Sequence, residues 1–164
     1  MKLSDGVEQA IHCVAMLAGL TPGGVLAASA LAEFHGVGTS YLLKHLQALS
    51  GAGILQTVPG PKGGYRLARA PEEITLLDIV LEGHEPAFRC AEIRQRGPNP
   101  LPEKPVRPCE INAAMLRAER AYRAELQRTT IADILGDVHA NDNSGAVAAR
   151  GCAFLALHER KSNQ

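Results

Sequence analysis

The chain has 164 residues, with 17 Lys and Arg against 17 Asp and Glu, so the formal charge is zero and overall basicity cannot signal nucleic-acid binding. Hydrophobic residues make up 46% and charged residues 21%, with no Trp, three Phe and three Tyr, which fits one soluble domain, or one plus a small extension, around an aliphatic core. No stretch approaches the ~18 uninterrupted apolar residues of a membrane span, and Met1-Lys2-Leu3-Ser4-Asp5 lacks the basic-then-apolar run of a signal peptide; a cytoplasmic protein with no membrane partner is expected. Four cysteines do not make a dense disulfide framework, so their surroundings must decide between burial, metal binding and redox chemistry.

In chain order, Val7, Ala10, Ile11, Val14, Leu17 and Ala18 recur at helical spacing, with Ser4 as the expected N-cap and Asp5 and Glu8 in the first turns, where the macrodipole favours negative charge. Thr21-Pro22-Gly23-Gly24 ends that helix. A second helix fits Ala27 to Phe34, the segment His35-Gly36-Val37-Gly38 makes a tight connection, and Thr39 or Ser40 is expected to cap a third helix reaching about Ser50 with Leu42, Leu43, Leu46 and Leu49 inward. Two short helices around a glycine turn read as a helix-turn-helix. The β-branched run from Ala52 to Val58, the turn Gly60-Pro61-Lys62-Gly63-Gly64 and the returning strand Tyr65-Arg66-Leu67-Ala68 add a hairpin, which makes the unit a winged helix. A further helix, begun by Thr75, ends near Gly83.

Residues 97–108 hold five of the ten prolines, which excludes a helix interior and predicts a loop. Beyond it, Ile111, Met115, Ala118, Tyr122, Leu126 and Thr129 mark one face of a long helix from about Glu110 to Arg128, with Arg117, Arg120, Arg123 and Gln127 opposite. An apolar stripe on a single long helix wants a partner, so a homodimer is expected. Thr130 is expected to cap a short helix, Ile131 to Leu135, followed by a loop from Gly136 to Gly145 and a loosely attached helix around Ala146 to His158. The fold class is therefore mainly α: a winged helix-turn-helix DNA-binding domain with a two-stranded wing and a long C-terminal dimerisation helix. The expected divisions are 1–83 for the DNA-binding domain, 84–109 for a loop region, 110–135 for the dimer helix and its short successor, and 136–164 for a flexible tail.

Position changes the meaning of the zero charge. Residues 1–33 carry one basic and three acidic groups and residues 72–164 twelve and fourteen, whereas residues 34–71 carry Lys44, Lys62, Arg66 and Arg69 and no acid. The positive block lies on the recognition helix and wing, the surfaces a winged helix lays on double-stranded DNA. A dimer would present roughly eight such cations for phosphate neutralisation. Thr39, Ser40 and Tyr41 can donate to phosphates or reach base edges, Lys44 can reach phosphate or guanine, Lys62 can enter the minor groove, and Gly63 and Gly64 more readily set the turn than make a specific contact.

The segments Met1-Lys2-Leu3-Ser4, Ser40-Tyr41-Leu42-Leu43-Lys44-His45-Leu46, Ala52-Gly53-Ile54-Leu55, Gly60 to Ala68 and Ile74-Thr75-Leu76-Leu77-Asp78-Ile79 resemble the Rrf2 family of bacterial transcriptional regulators over roughly residues 1–135. The resemblance implies a homodimer held by the long helix, binding an operator through two recognition helices and two wings, and in many members an iron–sulfur cluster. Cluster-binding members carry three closely spaced cysteines between hairpin and dimer helix. Here Cys90 and Cys109 fit the first and third positions, no cysteine stands between them, and Asn112 occupies the place where some members have a histidine; a three-cysteine site is excluded.

Glu8 and His12, four residues apart on one helix face, offer replacements. In the family, the residue matching Glu8 in one subunit can reach a cluster held by the other. With Cys90, Cys109 and the run Phe88 to Pro98, these residues resemble the redox-responsive RsrR-type branch, which implies a [2Fe–2S] cofactor with two Cys, one His and one Glu ligand. Imidazole in place of thiolate raises the potential of such centres, and the electron taken up on reduction is the signal the resemblance implies. Plainer readings exist for the same residues: helix-dipole stabilisation for Glu8, a satisfied polar group for His12, a reversible Cys90–Cys109 disulfide, or a Zn²⁺ site. Cys13 and Cys152 read as buried or incidental thiols. No phosphate-cradling loop or nucleophile constellation supports an enzyme or a small-molecule substrate, and an adaptor built on a degenerate winged helix would show no salt-dependent DNA binding.

Overall fold

The computed structural model describes residues 5–81, 98–100, 102–107 and 109–161. Helix α1 (Asp5–Ala18) buries Ala10, Cys13, Val14 and Leu17, spaced at three and four residues, while Asp5 and Glu8 occupy its first turn against the macrodipole. Ser4, the expected cap, lies outside the described residues. After a turn, a two-residue strand β1 (Gly24–Val25) precedes α2 (Ala28–His35). Gly36 ends α2 in the left-handed region at φ 65°, where its N–H reaches the carbonyls of Ala32 and Glu33, a conformation that disfavours any side chain.

Helix α3 (Thr39–Gly51) buries Leu42, Leu46 and Leu49. Its N-cap is Gly38, with no side-chain capping bond, rather than Thr39 or Ser40. Thr39 and Ser40 are the first two residues inside the helix and are exposed, because the tight turn after Gly36 leaves the extended cap position to Gly38. Strands β2 (Leu55–Val58) and β3 (Gly64–Leu67) pair antiparallel with Leu55 opposite Leu67 and Thr57 opposite Tyr65. A Leu26–Tyr65 bridge, with N–H···O distances of 3.0 and 2.8 Å, joins the end of β1 to β3. The approach is so close that a Cβ on Gly64 would collide with the Leu26 carbonyl.

A 3₁₀ turn (Pro71–Glu73) leads into α4 (Leu76–Leu81), begun by Thr75 as expected: the Asp78 N–H donates to Thr75 Oγ1 at 3.1 Å and the Thr75 N–H to Asp78 Oδ2 at 3.0 Å. Helix α5 (Glu110–Arg128) has the predicted bounds but buries no residue; Ile111 is 66% and Met115 40% exposed. At its C-terminal end the Leu76 N–H donates to Thr129 O at 2.9 Å and the Ile131 N–H to Ile74 O at 2.9 Å, tying α5 to the start of α4. Helix α6 (Ile131–Asn141) opens with a second box, Thr130 with Asp133.

Two C-terminal expectations are corrected. The segment from Gly136 to Asn141 is helix rather than loop: α6 continues through Gly136, and Asp142 to Gly145 alone make the turn. Helix α7 (Ala146–His158) is not loosely attached, because Phe154 and Leu155 pack against the core and the Arg150 guanidinium sits 4.5 Å from the centre of the Phe34 ring. Strand β4 (Arg160–Lys161) then pairs antiparallel with β1, Gly24 opposite Lys161 and Val25 opposite Arg160. Through the Leu26–Tyr65 bridge, the β structure runs in the order β4-β1-β3-β2.

Replacing Gly64 with Ala forces the β1 and β3 backbones apart. Chemical denaturation should register a loss of about 1–3 kcal/mol, typical of overpacking against fixed backbone, whereas Gly136→Ala, which meets no neighbouring atom within 4 Å, should leave stability equal or higher.

Candidate nucleic-acid interface and cysteine–histidine–glutamate site

The first turns of α3 carry Thr39, Ser40, Tyr41 and Lys44, all exposed, and Tyr41 stacks edge-on to His45 with ring centres 5.3 Å apart. Lys62 is exposed at the tip of the β2–β3 turn. Among the described residues neither lysine pairs with a carboxylate, so both keep their charge for an outside partner. Gly63 belongs to the turn itself: its N–H donates to Gly60 O at 2.9 Å, and a Cβ there would strike the Val58 carbonyl.

The other two cations of the acid-free block have internal duties. Arg69 lies 3.4 Å from Asp78 and donates to the Glu73 carbonyl at 3.2 Å, joining the hairpin to α4. Arg66 donates to Gln56 Oε1 at 2.9 Å across the wing ladder. In exchange the fold brings in Arg160, 99 residues from Pro61 in sequence, whose guanidinium donates to the Pro61 carbonyl at 3.2 Å. Sequence reading missed Arg160 because a two-residue strand of charged residues carries no periodicity.

Glu8 and His12 are exposed on one face of α1, and among the described residues neither makes a hydrogen bond or an ion pair. The His12 ring lies 5.9 Å from that of His35, whose Nε2 is buried without a partner among the described residues. Burial first, then the charges of His12 and Arg150, push His35 below its ordinary pKa. Cys109 is half-buried at the N-cap of α5 and its side chain makes no capping bond. Cys90 lies outside the described residues. Among the described residues no three His, Cys, Asp or Glu side chains gather as a metal site within one chain.

The opposite side of α1 ties this face to the interface. Gly6 sits so close to α3 that a Cβ there would collide with the His45 ring and meet the Tyr41 hydroxyl at 3.0 Å. The helix that presents Glu8 and His12 thus rests directly on the helix that presents Tyr41 and Lys44.

A helix-turn-helix followed by a hairpin, with Lys44 and Lys62 exposed on the second helix and the turn, defines the class of winged-helix transcriptional regulators. Residues 3–137 match the model of the Rrf2 family, described as an iron-dependent transcriptional regulator, and the chain belongs to that family. It is 40% identical to the protein aau3 of Rhizobium meliloti over 105 residues, covering 64% of this chain and 66% of that one. It is 27% identical to the HTH-type transcriptional regulator NsrR of Bacillus subtilis over 135 residues, covering 82% and 90%. The structure of IscR from T. potens superposes with a TM-score of 0.65 at 22% identity, covering 90% of this chain and 96% of that one, and shows the same fold.

The thiols differ sharply in exposure. Burial pushes the Cys13 thiol up to about 12, whereas Cys152 is exposed. Near pH 8 the thiolate fraction of Cys13 is therefore on the order of one in ten thousand. Mass spectrometry after iodoacetamide treatment of the folded protein should find Cys152 alkylated and Cys13 intact, with Cys13 labelled once the chain is denatured.

Proposed function

We propose that the protein is a homodimeric, cytoplasmic transcriptional regulator whose α3 and wing bind operator DNA, with affinity controlled by a [2Fe–2S] cluster held by Glu8, His12, Cys90 and Cys109. The observation that carries this reading is the double role of α1. Its exposed face offers Glu8 and His12, which make no hydrogen bond or ion pair among the described residues, and its other face bears on α3 through Gly6 and His45.

The donor set suits the cofactor: two thiolates, an imidazole and a carboxylate are all found on iron or on comparable metals, and such a cluster supplies a one-electron change of charge when bound. The remaining work falls to the chain. Cys109, at the N-cap of α5, would place one donor at the end of that helix away from α4, and Glu8 and His12 would place two on the DNA-binding unit. We assign the uncovered face of Ile111, Met115 and Leu116 to a second copy, with Glu8 and His12 of one subunit meeting the cysteines of the other. A change of charge there would act on α1 and, through Gly6, on the placement of α3.

Two measurements test the reading. Binding to duplex DNA, followed by fluorescence anisotropy, should weaken steeply with salt, and Lys44→Ala or Lys62→Ala should each reduce the slope of log K against log salt by about 0.9 per protomer if that lysine meets a phosphate. Absence of any salt-dependent binding would favour an adaptor. Protein reconstituted anaerobically with iron and sulfide should absorb in the visible region, and His12→Ala should alter that spectrum while the apo-protein keeps its far-ultraviolet dichroism. A colourless, iron-free product would overturn the cluster and direct attention to a Cys90–Cys109 disulfide or bound zinc.

A further inference from the structure

The β4 strand is fastened to β1 and the turn before it, and from there reaches the wing through Arg160. Glu159 accepts from the Thr21 hydroxyl, and Lys161 donates to the same hydroxyl, pairs with Glu159 at 3.3 Å and donates to the Pro22 carbonyl at 3.2 Å. The Thr21 hydroxyl, seconded by the Lys161 charge, holds the Glu159 carboxyl below the usual range. Glycines make room for this docking. A Cβ on Gly24 would collide with the Glu159 carboxylate, and one on Gly19 would lie 2.9 Å from Leu155 Cδ1.

The two cations of β4 are used differently. Lys161 is spent on anchoring, with a carboxylate and two oxygens around it. Arg160 points to the wing turn, where one N–H rests on the Pro61 carbonyl, next in sequence to Lys62. Among the described residues no carboxylate faces Arg160, and most of its fixed fork of N–H donors stays available. A guanidinium steadied by one carbonyl and otherwise exposed is well prepared to meet a phosphate, because its planar fork loses little freedom on binding.

We propose that Arg160 is a DNA phosphate contact, carried to the wing by the C-terminal strand. The proposal rests on the reading of the wing as a DNA-binding surface. It gives β4 a function beyond closing a sheet edge: the strand restores to the interface the cation that Arg69 withdraws from it. A phosphate contact is blind to sequence, so any duplex reports it.

The test uses the full chain and a fluorescein-labelled duplex of mixed sequence, with affinity measured across a salt series. Arg160→Gln, which removes the charge, should lower the salt slope by about 0.9 per protomer, while Arg160→Lys should retain it. Thermal midpoints of both variants should match the parent. Gly24→Val, which displaces β4 without removing a charge, should reproduce the reduced slope of Arg160→Gln. A parental slope in Arg160→Gln would overturn the assignment while leaving DNA binding by α3 and the wing intact, as would equal losses in the Gln and Lys variants accompanied by lower melting points. If the parent protein itself shows no salt-dependent binding, the reading of the wing fails and the assignment falls with it.

Discussion

The structure depends on the burial of one side of α1. Ala10, Cys13, Val14 and Leu17 are removed from solvent against α3, β3, α4 and α6, so the first helix touches the recognition helix, the wing, and both capped helices that flank α5. A fully buried Val or Leu contributes about 1.5–3 kcal/mol, and here a few such side chains hold four elements in one arrangement. Burial also explains why Cys13, beside His12 in sequence, takes no part in the candidate site. It faces the core, its thiol is kept protonated, and the exposed Glu8 and His12 are left for chemistry.

Legibility of the fold followed the length and amphipathicity of each element. The bounds of α5 and α7 could be taken from apolar spacing and the Gly/Asn-rich turn before α7, and the Thr75 and Thr130 caps from a hydroxyl residue three positions before an aspartate. Strands β1 and β4 could not, since each is two residues long and their pairing joins positions 24 and 161. The extension of α6 through Gly136 was hidden by composition: Gly, Asn and Asp read as loop, whereas here the Asn141 amide donates to the Asp137 carbonyl and the Asp142 N–H to the Val138 carbonyl, closing the last turn.

The candidate site was legible in residue type and less so in membership. Thr39, Ser40, Tyr41, Lys44 and Lys62 all lie exposed on the expected elements, yet charge counting along the chain could not tell that Arg69 faces Asp78 or that Arg160 arrives from far away. Net charge is a sum, and what DNA meets is a surface sorted by pairing. The spacing of Glu8 and His12 identified a common helix face. No spacing rule states which second chain or loop completes a site, so that part rests on the family and on the uncovered apolar face of α5.

The manner in which α5 is fastened has a mechanical consequence. Its C-terminal end is clamped by the Thr75–Thr130 bridge and the paired capping boxes, while no residue along its length is buried. Nineteen residues of helix extend about 28 Å from that clamp, which makes α5 a lever with its fulcrum beside α4 and Cys109 at its far tip. A tilt of about five degrees at the fulcrum moves the tip by about 2.5 Å over that length. Read in reverse, a displacement of that size imposed at Cys109 reaches α4 as a small rotation, applied next to the two backbone hydrogen bonds that join the starts of α4 and α6.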